Sequence, residues 1–468
     1  MADDRLALMA HLLRRAGFGS SRDELEAYAA RPYEEVVEEL IHPERCPDLD
    51  EDELRRYYPQ LGANIDNPGV WNGRWFWRMV NTKRPLEEKM TLFWHHVFAT
   101  GWTKSEHTPT MVEHIEMFRR DGLKNFRVLL LELSKDPAMI YWLDNNENHG
   151  KSINENYGRE LLELFSMGIG NYSETDIKNV ARAFTGWTFE QPIPLYPFGH
   201  YGSKFVYRAE DHDDSEKTFL GKTGRFNGED IIDIIVKQDA CARFVSRHLY
   251  NFFVADEPQV PSWSVEPPQD PEAIATLMKS FHDSDADIRS VMRTLFNSDF
   301  FKKARFKRVK CPVELIAGTV KISGEWRNPD PGLVTLDSAA RAMGQILMDP
   351  PTVEGWHTGK EWIDGGSLTE RVNFAVNALK NMKKPGPQAI VRRLSEVGRP
   401  IPPAELVDRC LDLVGPLEVG ADTRGALVDL AQKGGDVSFK SDSDWANAEE
   451  RVGRILTLIV ASREYQFA

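Results

Sequence analysis

Apolar residues recur at helical spacing along most of this chain, and clear helix stops separate the repeats. Residues 4–15, 21–30 and 32–41 each place apolar side chains at i, i+3 and i+4, which puts them on one face of an α-helix. Glycine and proline fall between these segments and end them. Further helices are predicted at 69–81, 85–100, 109–120, 125–143 with a break at Pro137, 154–167, 228–253, 271–283, 286–304 and 312–323. The spacing predicts an all-α protein with a large multi-helical body.

The pattern changes in the segment 187–227. Proline, glycine and aromatic residues replace the helical spacing there, and the stretches 204–208 and 217–220 alternate as strands do. Long excursions within a compact helical protein are often functional. We therefore expect a loop-rich excursion with a small hairpin. The predicted division is an N-terminal helical region with the candidate site helices at 1–187, the excursion at 188–227, a second helical region packed on the first at 228–366, and a C-terminal helical subdomain at 367–468.

The charge balance and apolar content exclude two classes of partner. A net charge of −14 argues against nucleic acid, because phosphate binding requires a concentrated basic surface. The basic run at 302–310 is an exception, and a solvated face is preferred there over an anion site. The longest apolar stretch, 455–461, is far shorter than the roughly 20 residues that cross a bilayer. It is predicted to be a buried helix face, and no membrane span is expected.

The chain start and the cysteines bear on location. The N-terminus is acidic and enters an amphipathic helix without the basic start, apolar centre and cleavage site of a secretory signal. The expected location is cytoplasmic as the sequence stands, with export as the alternative if a leader has been removed. Cys46, Cys241, Cys311 and Cys410 are widely separated and form no Cys-x-x-Cys pair. They are expected to be buried thiols in a reducing compartment.

The strongest functional signal lies in the segment 152–165. Ser152 and Glu155 have the spacing of a capping box, which predicts a helix start near residue 153. Asn156, Glu160 and Glu163 then stack on one face of this helix. Two neighbouring carboxylates can serve as general acid and base, because their proximity pushes their pKa values apart. The alternative is an exposed face on which the glutamates pair with a basic neighbour.

Two other residues of the same segment add detail. Arg159 follows Glu155 at i+4 and makes a second polar row. Gly158 lies in the middle of the helix, where glycine costs roughly 1 kcal/mol relative to alanine. Another element is therefore expected to approach the helix closely at Gly158.

Histidines mark two further candidate clusters. His95 and His96 lie in a helix that is apolar almost all round, and a buried imidazole requires a hydrogen-bond partner. A structural role is the alternative to a role as ligand or proton shuttle. In the excursion, His212 and Asp213 could place an imidazole and a carboxylate at the mouth of a pocket. The alternative for this acidic loop is simple solvation.

Several familiar motifs are absent from the sequence. The run Gly221-Lys222-Thr223 lacks the glycine that a phosphate-binding loop requires five residues earlier, because Glu216 stands there. There is no His-Glu-x-x-His zinc helix and no Gly-x-Ser-x-Gly nucleophile elbow. The paired Glu-x-x-His motif of di-iron bundles is also missing. Nucleotide hydrolysis and classical serine hydrolysis therefore lose their main support.

Many ordered motifs of this chain resemble one bacterial family, catalogued as domain of unknown function 1800, over nearly the whole length. The motifs that carry the resemblance lie at 94–100, 125–127, 136–139, 143–145, 154–164, 183–187, 212–213, 217–221, 343–345, 350–351, 355–356 and 464–466. The resemblance implies no established activity. It implies frequent export and a partner protein of the phosphatase superfamily type. The family often has Trp-His-Asn-His where this chain has Trp94-His95-His96-Val97, which makes His95 the better candidate and weakens a two-histidine metal site.

The leading hypothesis is a hydrolase that acts on a small polar or glycan ligand, such as a cell-envelope component. The proposed catalytic residues are Glu160, Glu163, His95, His212 and Asp213. The proposed substrate-binding residues are Arg159, Asn154, Asn156, Arg182, Trp94, Trp187 and Lys217. One alternative is a non-catalytic helical scaffold or binding protein in which the polar stripes form buried networks. A weaker alternative is a metal-binding protein that uses His95, Glu160, Glu163 and His212; the sequence identifies no cofactor.

Overall fold

A computed structural model of the chain describes residues 2–191, 202–258 and 263–468. Helices dominate this described part, and its strands form two small antiparallel pairs. The buried apolar side chains form one continuous core that extends from Met9 to Tyr465. The prediction of an all-α protein with a small hairpin in its excursion is therefore confirmed.

The first third of the chain forms helices that surround the buried helix α7. Their bounds are α1 Ala2–Arg15, α2 Arg22–Ala29, α3 Tyr33–Leu40, α4 Glu51–Tyr57, α5 Gln60–Ala63, α6 Pro68–Asn81, α7 Pro85–Val97, α8 Trp102–Ser105 and α9 Thr108–Asp121. Helix α7 is buried on nearly every side and packs against α9. This agrees with its sequence, which is apolar almost all round.

The next four helices carry the carboxylate stripe. Their bounds are α10 Phe126–Lys135, α11 Pro137–Trp142, α12 Asn156–Glu163 and α13 Glu174–Ala183. The break at Pro137 is confirmed, and Asp136 caps the helix that follows it by accepting from the Met139 N–H at 3.1 Å. Proline lacks an N–H and fits the first turn of a helix, so the chain restarts its helix there.

The predicted start of α12 is wrong. The helix begins at Asn156, not near residue 153, and no side chain caps it. Ser152 instead forms an isolated bridge with His149, and Glu155 lies 3.5 Å from Arg159 as an ion pair. These local partners replace the expected capping box.

Gly158 lies where α12 crosses α13. A Cβ added at Gly158 would be 3.0 Å from the Ala181 backbone nitrogen and 3.3 Å from the Ile177 carbonyl oxygen. The expected close approach is therefore confirmed, and its cause is the backbone of α13. The absence of a side chain lets the two helices meet.

The excursion holds the two strand pairs. Strand β1 (Trp187–Glu190) pairs with β2 (Lys204–Tyr207), and β3 (Lys217–Phe219) pairs with β4 (Lys222–Gly224). Leu220 and Gly221 join β3 to β4, with φ angles of 45° and 77°. Positive φ at both turn positions matches the twist of a tight hairpin. The part of the predicted excursion at 192–201 lies outside the described residues.

Helices resume after the excursion and continue to the end of the chain. Their bounds are α14 Gly228–Ile235, α15 Asp239–Phe253, α16 Pro271–Asp283, α17 Ile288–Asn297, α18 Asp299–Lys302, α19 Pro312–Ser323, α20 Val334–Ala342, α21 Gly365–Leu379, α22 Pro385–Ser395, α23 Pro403–Leu413, α24 Ala421–Gln432 and α25 Asp442–Ala461. Helix α21 packs against both α19 and α25. The proposed C-terminal subdomain therefore shares its core with the preceding region.

Three expectations about single segments are settled by burial. The apolar stretch at 455–461 forms a buried face of α25, as predicted, and none of the described helices has the length and apolarity to span a bilayer. Three of the four free cysteines are buried, and Cys46 is half-buried. The expectation of a solvated basic run at 302–310 is wrong at its end, because Arg308 is buried against Glu314.

Candidate functional site

Glu160 and Glu163 lie at the C-terminal end of α12, and both are half-buried. Burial, together with the nearby negative charges of Glu163 and Glu354, raises the pKa of the Glu160 carboxyl to about 7, although Arg159 opposes the rise. Like charges disfavour ionisation of a carboxyl. Glu160 can therefore hold a proton near neutral pH beside other carboxylates.

Glu163 opens onto a cleft with a volume of about 260 Å³. The loop after α12 forms one wall, and α15 forms the other with the segment at Trp263 and Ser264. The side chains that give the cleft its chemistry are Glu163, Glu354, Arg243, Phe244, Met167 and Trp263. The cleft thus combines carboxylates, an exposed guanidinium and an aromatic ring.

Contacts of Tyr172 and Trp263 shape this cleft. Tyr172 donates its hydroxyl proton to Glu163 Oε2 at 3.3 Å, and burial together with Glu163 raises the pKa of that hydroxyl. Trp263 donates its indole N–H to the Pro258 carbonyl oxygen at 2.7 Å, and the Arg247 guanidinium lies 4.5 Å from its ring centroid. Glu163 and Trp263 are therefore held in place before any ligand arrives.

His95 lies in the core and not at the cleft. It is completely buried, and its Nε2 accepts the Met348 backbone N–H at 3.0 Å. Its ring packs 5.1 Å from that of Trp356 and 6.2 Å from that of His114. Burial lowers the pKa of His95 well below its usual value. These contacts favour the structural alternative for this histidine.

His212 and Asp213 form a second cluster with Arg182 and Lys217. The Arg182 Nε donates to Asp213 Oδ2 at 2.7 Å, and the His212 Nδ1 donates to the Thr185 carbonyl oxygen at 2.9 Å. Burial alone would raise the pKa of Asp213, but the hydrogen bonds from Arg182 and Ser215 hold it well below its usual value. This cluster is internally paired and fastens the excursion to α13.

Lys217 belongs to the same fastening. Its side chain is buried, and its ammonium donates to the carbonyl oxygens of Asp213 and Ser215. The two tryptophans proposed for substrate binding are also buried. Trp94 donates to the Gly122 carbonyl oxygen at 2.8 Å, and Trp187 donates to Asn227 Oδ1 at 2.8 Å. These three side chains stabilise the fold where the sequence suggested ligand contacts.

The remaining predicted residues lie on the surface around α12. Arg159 pairs with Glu174 at 2.9 Å and with Glu155 at 3.5 Å. Asn154 accepts the Asn156 backbone N–H at 3.0 Å, and so shapes the entry to the helix. Ion pairs between exposed side chains contribute little stability, so Arg159 is free to change partner.

The four residues proposed for a metal site are not brought together as a set. His95 lies in the core, and His212 is held at the excursion. Across residues 2–191, 202–258 and 263–468, no group of three or more histidine, cysteine, aspartate or glutamate side chains has an arrangement that could hold a metal ion. The geometry therefore gives the metal-binding alternative no support.

Sequence reasoning missed the far wall of the cleft. Glu354, Arg243, Phe244 and Trp263 come from separate parts of the chain. Their contact with the end of α12 depends on long-range packing, which no local spacing reveals. One usable signal was Glu354, a lone acidic residue after two prolines and before Gly355 and Trp356.

Comparison with known proteins identifies the family but no characterised relative. Neither the curated proteins nor the solved structures include a significant match to this chain. One family model, described as "Protein of unknown function (DUF1800)", matches residues 11–467. The ordered motifs at 94–100, 154–164 and 212–213 all fall inside that span. The chain belongs to the DUF1800 family.

Proposed function

We propose that this protein is a hydrolase whose catalytic pair is Glu160 and Glu163 and whose substrate is a polar molecule such as a glycan. The observation that carries the proposal is the raised pKa of Glu160, about 7, one helical turn from a second carboxylate at a cleft. A general acid works best when its pKa is near the working pH. Glu160 satisfies that requirement.

The proposed reaction divides the work between the two carboxyl groups. Protonated Glu160 gives its proton to the leaving oxygen as the bond from that oxygen to carbon breaks. Glu163 accepts a proton from water, whose oxygen forms the new bond to the same carbon. Exchange of a proton with solvent then returns Glu160 to its acid form and Glu163 to its base form.

The aromatic and cationic side chains of the cleft favour a sugar-like substrate. Trp263 offers a flat apolar surface, and it is already fixed by its hydrogen bond to Pro258 and by Arg247. Aromatic rings bind the apolar faces of flat or ring-shaped ligands. The exposed guanidinium of Arg243 adds a donor for hydroxyl or carboxylate groups of the substrate.

The test compares glutamine variants on a substrate found by screening. Thermal unfolding with glycans and cell-envelope fragments identifies ligands that raise the unfolding midpoint, and hydrolysis of those ligands is then measured. Glu160→Gln and Glu163→Gln should each lower turnover by about 10²- to 10⁴-fold. Glu155→Gln is the matched control on the entry to the same helix, and it should retain native turnover. Unchanged turnover in Glu160→Gln would remove that residue from catalysis.

The alternative is a non-catalytic binding protein. The pairing of Asp213 with Arg182 and the burial of His95 favour it, because those polar groups act as structural networks. A ligand that raises the unfolding midpoint without being hydrolysed would support this alternative. Trp263→Ala should then weaken ligand binding, whereas Glu160→Gln should leave it intact.

A further inference from the structure

A second cavity lies on another part of the molecule, between α1, α19 and the end of the chain. Its volume is about 50 Å³. Arg14, Lys310 and Glu314 line it, together with the ring of Tyr465. The space exceeds the roughly 15 Å³ that one water molecule needs. A group larger than a single water therefore fits between two cationic side chains.

Glu314 cannot neutralise these two cations, because other groups already occupy both of its oxygens. Its Oε1 accepts from the Lys89 ammonium and lies 3.4 Å from Arg15 Nη1. Its Oε2 accepts from the Arg308 guanidinium and from the Cys311 backbone N–H at 2.9 Å. Glu418, the other carboxylate that acts on Arg14, pairs with Arg305 at 3.3 Å, so neither acid cancels the two cations that line the cavity.

Arg14 presents an unused edge of its guanidinium. Its Nη1 donates to the Gly415 carbonyl oxygen at 2.6 Å. Its Nε and Nη2 are shielded from solvent and have no hydrogen-bond partner. A buried donor without a partner costs about 1–3 kcal/mol, and more when it is charged. The Nε and Nη2 donors of Arg14 would therefore be satisfied by an acceptor with two oxygens.

The same two nitrogens bind a carboxylate at several other arginines of this protein, of which the buried Arg119 and Arg247 are two examples. Arg119 donates through Nε and Nη2 to the two oxygens of Glu88, at 2.9 and 3.0 Å. Arg247 donates through the same two nitrogens to Glu257 Oε2, at 2.9 and 2.8 Å. The two parallel N–H donors of this edge match the spacing of the oxygens in carboxylate, phosphate and sulfate groups. The Nε and Nη2 of Arg14 present the same pair of donors but bind no carboxylate.

Lys310 supplies the second cation. Its ammonium donates to the Tyr465 carbonyl oxygen at 2.7 Å and lies 4.2 Å from the centroid of the Tyr465 ring. Burial, together with the charges of Arg14 and Arg371, lowers its pKa to about 7. A bound anion would offset the repulsion among these cations.

We infer that this cavity binds a small oxyanion of the sulfate or phosphate type, held by the Nε and Nη2 edge of Arg14 and by the ammonium of Lys310. The site is separate from the cleft at Glu163 and does not depend on the proposed hydrolase activity. It also gives the end of the basic run at 302–310 a function that its burial alone does not explain.

Isothermal titration calorimetry with sodium sulfate tests the inference, because sulfate keeps its charge across neutral pH. Sodium chloride holds the ionic strength constant, so non-specific salt effects cancel. The native chain should bind sulfate with one saturable site. Arg14→Lys keeps the charge but removes the two-nitrogen edge, and it should weaken binding about tenfold, as expected for loss of a charge-assisted hydrogen bond.

Three further variants keep the test decisive. Arg305→Lys is the matched control, because Arg305 pairs with the exposed carboxylates of Asp4 and Glu418 and should leave sulfate binding unchanged. If Arg14→Lys fails to fold, Lys310→Gln should show the same weakening. An absence of saturable binding in the native chain would overturn the inference. Binding that appears only in Glu418→Gln would assign the Arg14 edge to Glu418 and would also overturn it.

Discussion

The carboxylates at the end of α12 and the carboxylate of Asp213 differ in the charges that surround them. Glu160 lies beside Glu163 and Glu354, and its pKa is raised to about 7. Asp213 accepts from Arg182 and Ser215, and its pKa is held well below its usual value. Like-charged neighbours favour the neutral acid, whereas a guanidinium favours the anion. A carboxyl group therefore holds a proton in one place and fixes a loop in the other.

The sequence predicted Glu160, Glu163 and Asp213 together as catalytic residues, and this difference in their surroundings separates Asp213 from the other two. Asp213 is already saturated, so any ligand would have to break existing bonds to reach it. Glu160 and Glu163 have fewer partners, and their clustering carries an electrostatic cost in the folded state. Groups that are perturbed by like charges at a cleft are frequent at functional sites.

The largest effect on stability is expected from replacing Arg182, the basic partner of Asp213. Arg182→Gln leaves Asp213 without its cation, and we expect the free energy of unfolding to fall by about 1–3 kcal/mol, because the pair is largely shielded from solvent. Urea denaturation measures this. Glu163→Gln is the matched change at the cleft and should leave stability unchanged or slightly increased, because it removes a like charge. Equal losses of stability in the two variants would show that the charged neighbours of Asp213 and Glu163 do not act on them in opposite ways.

A smaller effect on stability is expected from adding a side chain at Gly158, where α12 and α13 approach each other closely. Gly158→Ala adds a Cβ only 3.0 Å from the Ala181 backbone nitrogen. We expect a net loss of about 1 kcal/mol, because the strain of overpacking exceeds the gain in helix propensity. The measurement is thermal or urea unfolding. Turnover should also fall if α12 moves away from Glu354.

Gly425→Ala is the control for this change. Gly425 lies within α24, and a Cβ added there meets nothing within 4 Å. Alanine should stabilise that helix by about 0.5–1 kcal/mol. An equal gain in Gly158→Ala would show that α13 does not constrain the helix that carries Glu160 and Glu163.

Local sequence patterns predicted the helices and strands of this fold better than the contacts between them. Pro137 marks a helix boundary that the structure contains, because proline acts within a few positions of the chain. The capping box at Ser152 failed because His149 and Arg159 bind its residues instead. A local motif is overridden when nearby partners compete for the same side chains.

The candidate site was predicted on one wall only. Helical spacing places Glu160 and Glu163 together, since one turn separates them. Nothing in that spacing reveals Glu354 or Trp263, which reach the cleft through the packing of distant segments. The apolar helix around His95 predicted its burial, but its partners, Trp356 and the Met348 backbone, come from distant segments. Residue type indicated chemistry, while long-range packing determined which side chains solvent can reach.

The smallest expected effect is a pH dependence of stability with opposite signs in the two regions. The pKa of Glu160 in the folded chain, about 7, exceeds its ordinary value of 4.5. Its contribution to stability is therefore complete below pH 4.5 and is lost as the pH rises to about 7. Asp213 has a depressed pKa, so its contribution is present above its ordinary value of 3.8 and is lost as the pH falls.

Urea unfolding of the native chain, Glu160→Gln and Asp213→Asn at several pH values separates these contributions. The stability of Glu160→Gln relative to the native chain should increase between pH 4.5 and 7 and level off above pH 8. The gain should be only part of the roughly 1.4 kcal/mol that each pKa unit represents, because Glu160 is half-exposed. Asp213→Asn should differ from the native chain by a constant amount over that range, and its deficit should shrink only in stronger acid. Parallel curves for Glu160→Gln and the native chain would mean that Glu160 ionises as an ordinary surface carboxylate, and the proposed general acid would then lack its proton at neutral pH.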